Sequence, residues 1–233
     1  MSLRSSLVED ALHLFYPHTC NGCGSDLLFK DQLLCAFCIK KLPRTYYAKY
    51  PGNIVEKIFQ GRLNIRAAHS EFYFSKGKLI QHLIHQLKYK GNREIGIYLG
   101  NMIGETLLQS NRFPNIDAVV PLPMFADKEF KRGYNQATII SNGIAETIQA
   151  SVLNGIVTRS RLTETQTNKH RAERWRNVEG SFHITSNAAI KGKNILLVDD
   201  VITTGASIEA CGSIILQVPG STLNIATLAY ASK

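Results

Sequence analysis

Apolar and polar positions along this 233-residue chain follow two periods. Ile195-Leu196-Leu197-Val198 is an unbroken apolar run that meets two acids, Asp199-Asp200, and then the small, hydroxyl-rich turn Val201-Ile202-Thr203-Thr204-Gly205-Ala206-Ser207. Such a run predicts a parallel strand buried on both faces. Ile208, Cys211, Ile214 and Ile215 follow at helical spacing and predict a helix near 206–217. The same order recurs upstream. Ile116–Val120 reads as a buried strand, followed by Pro121-Leu122-Pro123 and a loop holding Asp127, Lys128, Lys131 and Arg132. Gly133-Tyr134-Asn135-Gln136 then opens a helix to about Gln149, and Leu153–Thr158 and Leu223–Ala229 read as further strands. Earlier still, Leu79, Leu83, Ile84 and Leu87 form the apolar stripe of a helix over 77–90, stopped by Gly91. Ile95–Gln109 is a second helix, Ile54–Phe59 a short one, and Ala67–Phe74 a strand. Strands alternating with helices predict an α/β protein with a mostly parallel sheet and right-handed crossovers.

The N-terminal segment is built differently. Leu3, Leu7, Ala11 and Leu14 suggest a short amphipathic helix, and Glu9, Asp10 and His13 break any signal-peptide core. Cys20-x2-Cys23 and Cys35-x2-Cys38 follow, with eleven residues between the pairs. Two such pairs can close a tetrahedral four-sulfur site, which suits zinc. A redox disulfide pair or an iron–sulfur cluster are the alternatives, and a reducing cytoplasm disfavours disulfides. With four Cys ligands no position stays open for water, so the zinc is expected to be structural. In a segment with so few apolar residues, metal would supply much of the folding free energy, on the order of 10 kcal/mol. Cys211 reads as a buried core thiol. The chain divides into 1–45 (helix plus zinc ribbon), 46–110 (junction and helical hood) and 111–233 (ligand-binding core).

Charge narrows the ligand. The formal net charge is +9, and Lys and Arg lie mostly between residues 57 and 176. From Ser181 onward Lys191, Lys193 and Lys233 balance Asp199, Asp200 and Glu209. A basic surface fits a polyphosphate or a nucleic acid. No segment approaches the roughly 20 apolar residues of a membrane span, and the expected location is cytoplasmic.

Backbone N–H groups in the turn after a buried strand, and at the start of the next helix, form an anion site at the strand's carboxyl end. Two acids beside it would repel a phosphate unless they engage something else. A sugar diol, with a divalent metal nearby, answers both demands. Residues 195–207 resemble the 5-phosphoribosyl-1-pyrophosphate (PRPP) motif of type I phosphoribosyltransferases. In order, the four-cysteine segment, Leu87-Lys88-Tyr89-Lys90-Gly91, Val120-Pro121-Leu122-Pro123, Arg132-Gly133-Tyr134-Asn135-Gln136 and Arg159…Thr163…Gln166…Arg174…Asn177…Phe182 are similar to the ComF family, phosphoribosyltransferase-like proteins linked to competence for DNA uptake. The resemblance covers nearly the whole chain and implies a type I phosphoribosyltransferase fold with a small N-terminal zinc ribbon. Asn168 departs from it, standing where an apolar residue is common. No N-terminal catalytic Cys or glutaminase segment is seen, which argues against glutamine-dependent amination.

On this reading Asp199 and Asp200 contact the ribose hydroxyls or their Mg²⁺, and Val201, Ile202, Thr203, Thr204, Gly205, Ala206 and Ser207 form the PRPP loop holding the 5′-phosphate. Pro121, Leu122 and Pro123 form a turn that points N–H groups toward pyrophosphate. The resemblance places Lys88 on the hood side and Arg132 and Gln136 near the pyrophosphate end. Residues 163–177 read as a flexible cationic lid, with Gln166, Lys169, Arg171 and Arg174 closing over the leaving group. His82, His85, His170 and His183 are assigned no role. The expected activity is phosphoribosyl transfer from PRPP to an unidentified acceptor. The competing reading is a non-catalytic PRPP- or nucleotide-sensing adaptor that binds single-stranded DNA or a helicase in a DNA-uptake assembly.

Overall fold

The fold is that of a computed structural model, which describes residues 19–26, 28, 32–75, 77–160 and 181–232. The expected N-terminal helix and the lid, with Gln166, Lys169, Arg171 and Arg174, lie outside the described residues. Seven α-helices run through these residues: α1 (Ala36–Lys41), α2 (Ile54–Phe59), α3 (Leu79–Tyr89), α4 (Arg93–Leu108), α5 (Ala126–Arg132), α6 (Gln136–Ile148) and α7 (Ala206–Leu216). The strands are β1 (Ala67–Tyr73), β2 (Ala118–Pro121), β3 (Ser151–Val152), β4 (Val157–Arg159), β5 (Phe182–Ile184), β6 (Asn194–Ile202) and β7 (Thr222–Tyr230).

Five strands form one sheet in the order β1-β7-β6-β2-β3, and every pairing in it is parallel. β6 and β7 sit inside it, which explains their continuous apolar runs. Side chains alternate across the sheet. Leu196 and Val198 face a core shared with Leu83, Leu87, Leu99, Ile140 and Ile144. Ile195 and Leu197 face the opposite core with Val55, Phe59, Ile208, Cys211 and Ile215. Thus α3, α4 and α6 cover one face, and α2 and α7 the other. Helices α4 and α6 cross at glycines: a Cβ on Gly100 would collide with the Ile140 carbonyl, and one on Gly143 with that of Ile97.

Two local readings change. Leu153–Thr158 is not one strand. The chain leaves the sheet after β3, turns at Gly155 (φ +71°), and pairs β4 antiparallel with β5 as a separate ribbon. The loop expected at 126–132 is helix α5. Asp127 and Glu129 in its first turn and Lys131 and Arg132 in its last complement the helix dipole, and Gly133 (φ +82°) closes it. The strand expected at Ala67–Phe74 is present as β1, an edge strand of the main sheet paired with β7 from Ala67–Asn224 to Tyr73–Tyr230.

Candidate functional site

The acids and the turn lie at the carboxyl end of β6. Because alternation continues past Val198, Asp199 and Asp200 reach toward opposite faces. Asp200 Oδ2 meets Lys88 Nζ of α3 at 2.5 Å, with both side chains mostly shielded from solvent. Asp199 is on the α7 side, where Arg159 and Cys211 are its electrostatic neighbours. Burial, then repulsion from Asp200, pushes the Asp199 carboxyl up from 3.8 to about 7; the Asp200 N–H, Lys88 and Arg159 only partly oppose this. Asp199 Oδ1 accepts that N–H at 2.8 Å.

The following turn is open. Thr203 and Thr204 are exposed, and Gly205 (φ +74°) is the N-cap of α7 without a side-chain cap bond. The first N–H groups of α7 are therefore available to an anion. Glycine is required at 205 twice over: its φ is left-handed, and a Cβ would stand 2.8 Å from Ile58 Cγ2 and 2.9 Å from Phe59 Cε1. Arg62 donates to the Thr204 carbonyl at 3.4 Å and pairs with Glu209, bracing the turn from beneath.

The Pro121-Leu122-Pro123 segment ends β2 at the same sheet edge. Leu122 N–H donates to the Val198 carbonyl at 2.8 Å, one residue before the acid pair; since Pro121 and Pro123 carry no N–H, this segment does not present the N–H groups expected for pyrophosphate. Asn135 caps α6 by accepting from Ala137 N–H at 3.0 Å and donates from Nδ2 to the Leu122 carbonyl at 2.9 Å. Arg132 hydrogen-bonds Gln136, and its guanidinium lies 5.4 Å from the Tyr89 ring centre. Tyr134 donates its hydroxyl to the Leu87 carbonyl, and Arg93 covers the Tyr134 ring at 4.7 Å. The segments at 87–91 and 132–136, distant in sequence, thereby meet beside the acids.

One residue escaped direct sequence reasoning, which placed Arg159 only within the family pattern. Its guanidinium lies between the Phe125 and Phe182 rings, at 4.2 and 4.8 Å. Its Nε is buried with no hydrogen-bond partner among the described residues. Desolvation favours its neutral form, while Asp199 favours the charged one. A half-buried cation clamped by two rings, with an idle donor near a carboxylate, is prepared for an anionic ligand. Phe125 and Phe182 are distant from Arg159 in sequence, so only the folded chain brings the three together.

The four cysteines form the second constellation. Cys20, Cys23, Cys35 and Cys38 present sulfurs all within 4.8 Å of one another. Cys23 and Cys35 sulfurs are 3.7 Å apart, against about 3.8 Å for neighbouring sulfurs around tetrahedral zinc with bonds of about 2.3 Å. Burial opposes the Cys20 thiolate, but the N–H groups of Cys35, Cys23 and Gly22 outweigh it and lower the thiol to about 6. Burial and the neighbouring sulfurs push Cys38 up. A cation at the centre allows all four to ionise together. The donor set fits a four-sulfur metal site.

Comparison with known proteins agrees with this geometry. The model of the phosphoribosyl transferase domain matches residues 130–233. Competence protein F of Haemophilus influenzae is 25% identical over 231 residues, 94% of this chain and 93% of that protein. Competence protein ComFC of Bacillus subtilis is 26% identical over 211 residues, 89% and 82% of the two chains. The chain is thus similar to these competence proteins over most of its length. Its fold is that of a type I phosphoribosyltransferase, a mostly parallel sheet flanked by helices, with a four-cysteine unit before it. Among solved structures, an adenine phosphoribosyltransferase aligns at 18% identity over 64% of this chain and 74% of that one, with a TM-score of 0.40. No helix among the described residues is long and apolar enough to cross a membrane.

Proposed function

We propose that the protein binds PRPP with Mg²⁺ and transfers its phosphoribosyl group to an acceptor with release of pyrophosphate. The observation that carries this reading is the pairing of two acids with an uncapped, glycine-opened helix start at one sheet edge. The turn from Thr203 to Ser207 takes the 5′-phosphate. Asp199 and Asp200 orient the ribose diol and place negative charge beneath the anomeric carbon as it becomes oxocarbenium-like. Mg²⁺, when bound, neutralises charge on the pyrophosphate. Lys88 holds Asp200 in place, and Arg159 and Arg132 lie toward the leaving group. The C1–O bond breaks with its electron pair going to pyrophosphate. An acceptor lone pair forms the new bond to C1, and the acceptor's proton passes to solvent. The cytoplasm, where thiols stay reduced, is the expected setting. Zinc in the four-cysteine cluster plays a structural part.

Thermal denaturation with Mg²⁺ and PRPP tests this reading. Ligand at about 100 times its Kd adds about 2.7 kcal/mol of stability. The shift should appear in the wild-type protein and vanish in Asp199→Ala/Asp200→Ala. No shift in folded, metal-loaded protein would remove the transferase reading.

A second reading, a PRPP-sensing adaptor for single-stranded DNA or a helicase, is favoured by a separate feature. A groove of about 910 Å³ runs between the four-cysteine unit and α3, lined by Phe37, Lys41, Lys78, His82 and His85 among others. Phe37 is 61% exposed, with Lys41 Nζ 4.0 Å over its ring. A ring and cations in a groove with no lining acid among the described residues suit stacked bases and phosphates. Pyrophosphate release on acceptor addition separates the two readings.

A further inference from the structure

The four-cysteine unit and the acid pair both engage the last turns of α3. Asn21 lies inside the first cysteine knuckle, between Cys20 and Gly22. Its main-chain carbonyl accepts from Gln86 Nε2 at 2.7 Å, and its Oδ1 accepts from Asn92 Nδ2 at 2.9 Å. Asn92 Nδ2 also donates to Gln86 Oε1 at 2.9 Å. Asn92 Oδ1 accepts the Ile95 N–H at 3.1 Å and so caps α4. Asn21 is fixed in turn, since its backbone N–H and its Nδ2 both donate to the Leu33 carbonyl, at 3.0 and 3.2 Å. Gln86 is 8% exposed, at a position where an apolar residue would extend the core stripe. Two residues further on, Lys88 reaches Asp200, and between them the Leu87 carbonyl accepts from Tyr134.

Three hydrogen-bonded amides centred on the buried Gln86 favour a single geometry, and this one joins the cysteine knuckle to the helical turn that carries the counter-charge of the acid pair. The knuckle is also tight: a Cβ on Gly22 would stand 2.7 Å from Cys38 Sγ. Its shape therefore follows the arrangement of the four sulfurs, which metal fixes.

We propose that Asn21, Gln86 and Asn92 are positioning residues that couple metal loading of the four-cysteine cluster to the placement of Lys88 against Asp200, so that the metal site sets PRPP affinity. This rests on the reading of the acid pair as the PRPP site. Loss of metal relaxes the knuckle, frees the Gln86 amide and loosens the end of α3, and the cleft then holds PRPP less tightly.

A double-mutant cycle in the full-length, zinc-loaded protein tests it. Gln86→Met removes the amide contacts to Asn21 and Asn92, together with the one to His82 Nε2 at 2.8 Å, while keeping length and helix propensity. PRPP·Mg²⁺ affinity is measured by calorimetry for wild type, Gln86→Met, Lys88→Met and the double variant, with bound zinc quantified in each. Gln86→Met should retain its zinc and its cooperative melt yet bind PRPP about tenfold more weakly, and in the Lys88→Met background it should cost nothing further. Wild-type affinity in Gln86→Met, or losses that add to those of Lys88→Met, would overturn the proposal. Should Gln86→Met fail to fold, Asn92→Ser keeps the α4 cap and removes the bridge. Amide hydrogen exchange over residues 84–90 gives a readout independent of PRPP. Exchange should accelerate both on zinc removal and in the amide variant, and unchanged exchange on zinc removal would overturn the coupling. Wild-type protein that binds no PRPP, but whose exchange responds to zinc, would instead point to failure of the transferase reading alone.

Discussion

Asp199 offers the sharpest test of the site because its ionisation lies within reach of ordinary buffers. Burial and the neighbouring Asp200 hold its carboxyl at about 7 in the folded protein, against 3.8 for an ordinary aspartate. A diol and its Mg²⁺ require the carboxylate. Binding should therefore expel the proton, and affinity should scale with the ionised fraction. On a titration at about 7, about half a proton is released per PRPP bound at neutral pH, and affinity falls about tenfold from about pH 8 to about pH 6. Calorimetry in two buffers of different ionisation enthalpy measures the proton directly. Asp199→Asn controls for the phosphates of PRPP itself and should lose both the pH slope and the proton release. Stability gives an independent check. Because the folded-state value is raised, the acid favours folding fully below the unfolded value, and this contribution is lost as pH rises from about 3.8 to about 7. Asp199→Asn should thus melt higher than wild type at about pH 8, by up to about 4 kcal/mol, with the difference vanishing near about pH 4. A flat affinity profile, no proton released, or a slope that survives in Asp199→Asn would refute the reasoning.

Other consequences can be measured on the same protein. Lys88→Met removes a charge that favours ionised Asp199, so the midpoint of the affinity profile should move above that of wild type. Arg159→Leu should weaken PRPP binding at least about tenfold with the melting temperature held within a few degrees, since both flanking rings can still pack on leucine; unaltered affinity would exclude Arg159 from the site. Chelation of the metal at the four cysteines should lower the melting temperature, and added Zn²⁺ should restore it; replacement by Co²⁺ should give the thiolate charge-transfer bands of a four-sulfur site. Gly100→Ala forces a methyl group onto the Ile140 carbonyl and should cost about 1–3 kcal/mol in urea unfolding.

Much of this molecule is dictated locally. The run 195–198 has to be a buried strand because both of its faces are apolar, and a left-handed Gly205 after two acids has to open a turn at its end. The cysteine spacing alone points to a four-sulfur cluster, since two knuckles of that length each turn a pair of sulfurs to one side. Helices α3, α4 and α6 follow from apolar stripes with Asn92 and Asn135 as caps. Other features depend on partners distant in sequence. Alternation past Val198 splits the acids between two faces, but only the arrival of α3 on one of them gives Asp200 its lysine, and only burial beside Asp200 raises Asp199. Residues 153–158 are apolar enough for one strand, yet two short pairings with different partners win, because Gly155 turns the chain away from the sheet. Arg159 looks like any basic residue until Phe125 and Phe182 close around it. Gln86 reads as a polar residue on an apolar stripe until the cysteine knuckle supplies its carbonyl. Periodicity reports which face of an element is apolar; it carries no information on which polar group will be waiting on the other side, and that is decided when the elements pack.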